Sequence, residues 1–201
     1  MPDGKEKNYD ELTFADDFMV CKILSNNWDL CREVTEVILG RKIGEIVKSD
    51  PQKSVKITAD GKGVRFDVYM EDDCDKVYDI EMQKWEERDL PRRSRYYQGM
   101  ADRNILKQGE DYRQLRECYI IFICLKNPFR ELGLHKYSFS MICREYRDLE
   151  LNDGGNRIIL SAEGSADDVS MELASFLRYV AGNIPDSDLT RRLESELRKA
   201  G

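Results

Sequence analysis

The sequence has few of the residues on which many enzyme sites depend. Its 201 residues include one histidine, His135, which argues against a histidine-based catalytic triad or histidine phosphotransfer. The six cysteines contain no Cys-x-x-Cys pair, and together with one histidine they lack the ligand spacing of a zinc site. The sequence therefore favours chemistry that rests on other side chains.

Long apolar runs are also missing. No run is long enough to span a bilayer, and the first twelve residues lack the apolar segment of a signal peptide. We therefore expect a cytoplasmic protein without membrane contact. Cysteines stay reduced in that compartment, and those in apolar stretches such as CYIIFIC (118–124) are expected to be buried free thiols.

The net charge of −7 is unevenly distributed. Between residues 92 and 116 there are seven basic and three acidic residues, which gives this segment +4 and leaves −11 for the remainder. Local potential, not total charge, attracts a polyanion such as DNA. The same run of charge is also typical of a solvated helix face.

The most informative stretch is GVRFDVYMEDDCDKVYDIEMQ, residues 63–83. Segments 64–69 and 77–82 have the composition and alternation of strands. The polar cluster DDCD at 72–75 predicts a turn between them. The stretch therefore reads as a β-hairpin.

Strand alternation assigns the hairpin side chains to faces. One face of the first strand is predicted to carry Arg65, Asp67 and Tyr69, and the other face Phe66 and Val68. On the second strand, one face carries Val77, Asp79, Glu81 and Gln83.

The turn would bring Asp67 opposite about residue 80, so that Asp67 and Glu81 are neighbours if their faces coincide. Adjacent buried carboxylates are unfavourable unless a cation neutralises them. Mg²⁺ and Mn²⁺ prefer oxygen ligands, and magnesium sites commonly use one or two protein carboxylates. The pair is consistent with a divalent metal site, although the spacing alone favours a hairpin whose polar face is solvated.

The remaining segments alternate between helical and extended patterns. Five have helical spacing or boundary signals: 14–24, 28–39 (closed by Gly40), 91–107, 167–180 and 188–199. Four others have strand patterns: 54–58, which we expect to begin the sheet, 117–125, 137–144 and 157–160. This order predicts an α/β fold with a mixed central sheet flanked by helices on both sides.

Several motifs in order along the chain resemble the PD-(D/E)XK nuclease family transposases, the recombination-promoting nucleases of the Rpn group. They are the hairpin, LPRRSRYYQGMADRNILKQGEDY (90–112), CYIIFIC (118–124), NPF (127–129), YSF (137–139) and LNDG (151–154). The resemblance covers about residues 17–180. It implies a restriction-endonuclease-like core and hydrolysis of DNA phosphodiesters that depends on Mg²⁺ or Mn²⁺.

The resemblance also implies site residues. Asp67 and Glu81 match the metal-binding acids, and the backbone carbonyl of Met82 is the expected third ligand. Gln83 stands where the wider superfamily has lysine. Glutamine carries no charge and cannot act as a base, so water activation would rest on the metal and the carboxylates. Lys84 falls on the opposite face by alternation.

The first helix offers another acid. Asp17, in FADDFMV, matches the acid that this fold often brings to the metal. Asp16 is the alternative residue. Asp17 is equally suited to stabilise the positive end of the helix dipole.

The helix after Pro91 offers cations. Arg93 and Tyr97 lie four residues apart and share a face, a spacing that resembles the family. Arg93 would contact a phosphate and Tyr97 would support a carboxylate or phosphate, while Arg92 and Arg95 add phosphate contacts. Alternatively, Tyr97 packs in the core and Arg93 covers it.

Together these patterns predict a disordered segment at 1–10, a nuclease-like domain at 11–182 and a C-terminal helix at 183–201, in a tail that is short or truncated relative to the family. The predicted function is a metal-dependent DNA endonuclease with DNA as partner, and a homo-oligomer is compatible with it. One alternative is a catalytically inactive DNA-binding or protein-interaction module, suggested by Gln83. Another is a metal-dependent hydrolase acting on RNA or nucleotides.

Overall fold

The computed structural model describes residues 17–56, 62–85, 89–129 and 131–200, so the predicted disordered segment at 1–10 lies outside it. The helices of the described residues are α1 (Asp17–Asn26), α2 (Trp28–Leu39), α3 (Leu90–Ile105), α4 (Met171–Val180) and α5 (Asp188–Ala200). The strands are β1 (Ile46–Pro51), β2 (Ser54–Val55), β3 (Val64–Arg65), β4 (Val68–Asp72), β5 (Val77–Gln83), β6 (Cys118–Cys124), β7 (Lys136–Phe139) and β8 (Gly155–Ser161).

Six strands form a mixed sheet in the order β1-β4-β5-β6-β8-β7. β5, β6 and β8 run parallel, and the other neighbours are antiparallel. The two hairpin strands lie inside the sheet, which confirms the predicted α/β fold. β2 and β3 pair separately as a two-stranded sheet.

Helices cover both faces of the sheet. On one face α1, α2, α4 and α5 contribute to a core that includes Ile23, Val34, Phe176 and Leu193. On the other face α3 packs on β6, and its core residues are Leu90, Tyr97, Met100 and Ala101. The second face carries less helix, which leaves the end of β5 next to open space.

The cysteines and the helices can be compared with the expectations drawn from composition. The cysteines whose side chains are described are all free, and Cys31, Cys118 and Cys124 are buried. Within the described ranges, none of the helices has the length and apolar character that a membrane span requires.

The start of the sheet differs from the prediction. The central sheet begins at β1, not at 54–58; within the described residues that predicted strand gives only β2, outside the central sheet. β1 was missed because its sequence, IVKSDP, is polar. An edge strand can be polar, since part of it faces water, and Val47 is indeed 56% exposed. The strand predicted at 137–144 also ends early, at Phe139.

The faces of the first hairpin arm differ as well. The arm is interrupted between β3 and β4 at Phe66 and Asp67. Phe66 therefore lies in the α3-side core with Tyr69, at 5.6 Å between ring centroids, whereas Val68 lies in the opposite core. The prediction that Phe66 and Val68 share a face is wrong, because alternation holds only while the strand is continuous.

The hairpin turn is organised by Asp72. This buried carboxylate accepts hydrogen bonds from the backbone N–H of Gly44 (3.2 Å), Cys74 (3.0 Å) and Lys76 (2.9 Å). It also accepts one from the hydroxyl of Tyr78 at 2.8 Å. Four donors on one carboxyl group fix the turn, and the turn fixes the register of β4 on β5.

We expect Asp72→Ala to lower the free energy of unfolding by about 3 kcal/mol, since it leaves several buried donors without an acceptor. Cys74→Ala, at an exposed position in the same turn, should change it by less than about 0.5 kcal/mol. Urea unfolding of both variants measures the difference. Equal effects would show that Asp72 does not organise the turn.

Candidate active site

The two hairpin acids meet at the start of β4. Val68 pairs with Ile80 and Tyr69 with Asp79, which brings Asp67 beside Glu81. The Asp67 N–H donates to Glu81 Oε1 at 2.8 Å, and the Met82 N–H donates to Asp67 Oδ2 at 3.2 Å. The predicted proximity of the two acids is present in the structure, and both are buried.

Burial and repulsion control the charge of Glu81. Desolvation is the largest cause, and with the negative charge of Asp67 it raises the pKa of Glu81 from 4.5 to about 8. The Asp67 N–H, the Arg93 guanidinium and the Tyr97 hydroxyl act in the opposite direction. Glu81 therefore binds a proton readily until a cation compensates its charge.

A third acid, Asp79, lies on the same face of β5 as Glu81. It is fully buried, and neither carboxylate oxygen has a hydrogen-bond partner among the described residues. Burial, followed by the charges of Glu81 and Asp67, raises its pKa well above the ordinary value. Asp79 was not among the predicted site residues, although strand alternation places it on the face of Glu81, two residues before that acid.

Arg93 connects α3 to these acids. Its guanidinium donates to Glu81 Oε2 at 3.1 Å, to Gln83 Oε1 at 2.8 Å and to the Tyr97 hydroxyl at 3.0 Å. It also lies 5.1 Å from the centroid of the Tyr97 ring and 5.3 Å from that of Phe122. These contacts fit the alternative in which Tyr97 packs in the core and Arg93 covers it, while the phosphate contact of Arg93 stays a prediction.

Gln83 is engaged at both ends of its amide. Its Oε1 accepts from Arg93, and its Nε2 donates to the backbone carbonyl of Trp85 at 2.9 Å. β5 ends at Gln83, so the alternation that predicted Lys84 on the opposite face does not extend to it. Gln83 thus links the acid cluster to the chain that follows β5.

A cavity of about 780 Å³ opens beside Asp67, Met82, Gln83 and Arg93. Its basic lining residues are Lys62, Arg65, Lys84, Arg92 and Arg93, and its acidic ones are Asp67 and Asp89. The Tyr96 hydroxyl donates to the Lys62 carbonyl and ties the β3 arm to α3. Such a cavity suits an anionic ligand.

The basic segment at 92–116 does not form one surface. Arg92 lines the cavity and is paired with Asp89 at 3.1 Å, while Arg95 is exposed on α3 outside the lining residues. Arg116 is paired with Glu71 and Asp75 in the hairpin.

Three of the cavity's five basic lining residues come from elsewhere in the chain. Lys62, Arg65 and Lys84 were missed, because they are far from the basic run in the sequence and only folding brings them to it.

Asp17 is the first residue of α1, but its side chain lies outside what the structure describes, as does Asp16. Its role at the metal therefore stays a prediction.

Two carboxylates are the side chains available to the implied metal at this site. In the part of the chain that is described, no group of three or more His, Cys, Asp and Glu could hold a metal ion. Mg²⁺ does not need one, since it keeps several waters and commonly uses one or two carboxylates. Asp67 and Glu81 fit this requirement: they are buried neighbours, and burial, followed by the negative charge of Asp67, raises the pKa of Glu81.

The raised pKa of Glu81 predicts how stability depends on pH. The folded protein retains a proton on Glu81 that the unfolded chain releases above 4.5, so this contribution is complete below 4.5 and is lost as pH rises through about 8. Without divalent metal, we expect the free energy of unfolding to fall by several kcal/mol from about pH 5 to about pH 8, at ~1.4 kcal/mol per pKa unit.

Denaturant titration across this pH range measures the effect. Glu81→Gln should flatten the profile in part, because Asp79 acts in the same direction. Glu131→Gln, at an exposed position, should leave the profile unchanged. A profile that is the same for wild type and Glu81→Gln would contradict the assignment.

Comparison with known proteins identifies the family of this chain. The family model described as PD-(D/E)XK nuclease family transposase matches residues 26–153, well over half of the 201-residue chain. Neither the curated proteins nor the solved structures gave a significant match. The mixed six-stranded sheet with flanking helices is consistent with a restriction-endonuclease-like fold. The matched region contains the hairpin acids, Gln83 and the Arg93–Tyr97 pair, and the chain belongs to the PD-(D/E)XK nuclease family transposases.

Proposed function

We propose that this protein is a metal-dependent endonuclease that hydrolyses DNA phosphodiesters, with Mg²⁺ or Mn²⁺ held by Asp67 and Glu81. The observation that carries the proposal is that two buried acids lie beside a cavity with a basic rim, held by the Asp67 N–H on Glu81 and the Met82 N–H on Asp67. Family membership indicates a nuclease and so supports nucleic acid as the substrate.

The proposed cation would lower the pKa of a bound water and stabilise charge on the phosphate. The carboxylates of Asp67 and Glu81, with the Met82 carbonyl as the predicted third ligand, would hold it. Glu81 must be ionised to bind a cation, so metal binding should release a proton. Asp17 remains a candidate for a further carboxylate ligand.

Arg93 is the proposed phosphate-orienting group. It contacts Glu81 and lines the cavity, so its guanidinium can bridge from the acids to a phosphate oxygen. The charge of Arg93 also keeps the pKa of Glu81 lower than burial alone would allow. Tyr97 supports this position by accepting a hydrogen bond from Arg93.

Gln83 has a different proposed role from the lysine of the wider superfamily. Its amide cannot accept the proton of an attacking water, and both ends of it are hydrogen-bonded within the protein. We therefore assign Gln83 to positioning Arg93, and the remaining proton acceptors near the cavity are carboxylates.

Cleavage of supercoiled plasmid tests the proposal. We expect nicking or linearisation only with Mg²⁺ or Mn²⁺, and a loss of more than about 100-fold in Glu81→Gln because that variant lacks a charged metal ligand. Glu131→Gln serves as the matched control and should cleave at the wild-type rate. Metal should raise the melting temperature of the wild type more than that of Glu81→Gln.

A folded wild type that binds DNA without any metal-dependent cleavage would contradict the proposal. That outcome would favour the second candidate, a non-catalytic DNA-binding module. The engagement of Gln83 by two protein groups is the observation that favours this candidate. Parallel assays with RNA of the same sequence would show whether the sugar matters.

The role of Arg93 can be separated from general electrostatic attraction. Arg93→Gln should slow cleavage about 100-fold at saturating DNA, since it removes a donor aimed at the reacting phosphate. Arg92→Gln changes an exposed arginine of the same helix that is paired with Asp89. It should weaken DNA binding a few-fold and reduce its salt dependence, with little change in the saturated rate. Equal rates for the two variants would remove Arg93 from the reaction.

A further inference from the structure

Trp85 is the most exposed aromatic side chain near the acids. It lies two residues after the end of β5, and 76% of its surface is exposed. Tryptophan is usually highly buried in folded domains, so an indole in this position is not explained by core packing. Its backbone is held by Gln83 at 2.9 Å, which fixes the point from which the side chain projects.

Trp85 stands where two cavities meet. It lines the 780 Å³ cavity beside Asp67 and Arg93. It also lines a second cavity of about 670 Å³, together with Lys84, Lys126 and Glu163. Lys84 is likewise shared by both cavities. A ligand that extends from the acids into the second cavity therefore crosses the indole.

The surroundings of Trp85 suit a nucleic-acid strand. Arg65, Lys84 and Arg92 supply cations on the first cavity, and Tyr96 adds a second aromatic ring that is 39% exposed. Proteins that bind single strands combine a positively charged groove with exposed aromatic rings on which bases stack. Both components are present here within one cavity.

We propose that Trp85 is a stacking platform for an unpaired base, and that the substrate is single-stranded or locally unpaired DNA. The inference rests on the proposed nuclease function and names its substrate class. Within a continuous duplex both faces of each base are covered by neighbouring bases. An indole can stack only on a base whose face is free, as in a single strand, a gap or an extruded nucleotide.

A base stacked on Trp85 would also position the neighbouring phosphate relative to the acids. Gln83 contacts both Arg93, which binds Glu81, and the backbone of Trp85. A base stacked on Trp85 would therefore hold the adjoining phosphate close to Arg93. The platform would select strands with an unpaired base next to the scissile bond.

Trp28 provides an internal control. It is 44% exposed, and its indole N–H donates to the Ser25 carbonyl at 3.1 Å. It lies at the start of α2 and does not line either of the two cavities that Trp85 lines. Since the chain has two tryptophans, each can be observed separately by replacing the other with phenylalanine.

The experiment is a fluorescence titration in the presence of a metal chelator, so that no cleavage is needed. Trp28→Phe retains only Trp85, and Trp85→Phe retains only Trp28. Each variant is titrated at low salt with an oligothymidylate and with a duplex of equal length. We expect the oligothymidylate to quench Trp85 and leave Trp28 unchanged, while the duplex quenches Trp85 weakly.

Affinity gives an independent measurement. Trp85→Ala should weaken oligothymidylate binding about tenfold or more, in line with the loss of one stacked base. Trp28→Ala should leave the affinity unchanged. Far-ultraviolet circular dichroism of both variants checks that each is folded, and the exposure of Trp85 makes its replacement compatible with folding.

Several results would overturn the inference: no binding of the oligothymidylate, binding without quenching of Trp85, or equal quenching by the duplex. Binding of the oligothymidylate that Trp85→Ala does not weaken would do the same. Failure of the nuclease proposal is separate: with metal, neither the plasmid nor the oligothymidylate would be cleaved, while quenching of Trp85 without metal persists. Cleavage with no quenching would retain the nuclease and reject the platform.

Discussion

The close approach of two buried carboxylates is the constraint on which the site depends. Asp67 and Glu81 stay adjacent because each is held through the backbone of the other arm, by the Asp67 N–H on Glu81 and the Met82 N–H on Asp67. Burial, followed by the negative charge of Asp67, raises the pKa of Glu81 to about 8. Negative charge on two neighbouring buried carboxylates is unfavourable for folding. A divalent cation can neutralise that charge.

The rest of the fold supports that contact from two sides. The Asp72 turn fixes the register of the hairpin, and the break between β3 and β4 turns Asp67 toward β5. α3 then brings Arg93 to the open side, where it meets Glu81 and Gln83. Since four of the helices pack on the opposite face, the α3 face is left to form the cavity.

Gln83 shows how a departure from the superfamily pattern can be accommodated. A lysine there would bring a positive charge to the acids, whereas in this chain Arg93 on α3 brings one from a different element. Gln83 accepts from that guanidinium and donates to the chain at Trp85. The amide therefore connects Arg93 to the backbone of Trp85. This role needs a group that both accepts and donates hydrogen bonds, and it does not need a charge.

Much of this arrangement follows from the sequence by itself. Local patterns determined the hairpin, the buried strand β6, the helices and the approximate opposition of Asp67 and Glu81, because alternation, turn residues and helical spacing are short-range properties. The polar edge strand β1, the face of Phe66 and the rim cations Lys62, Arg65 and Lys84 were decided only by tertiary structure. They depend on which elements become neighbours, and packing between residues distant in the chain sets that.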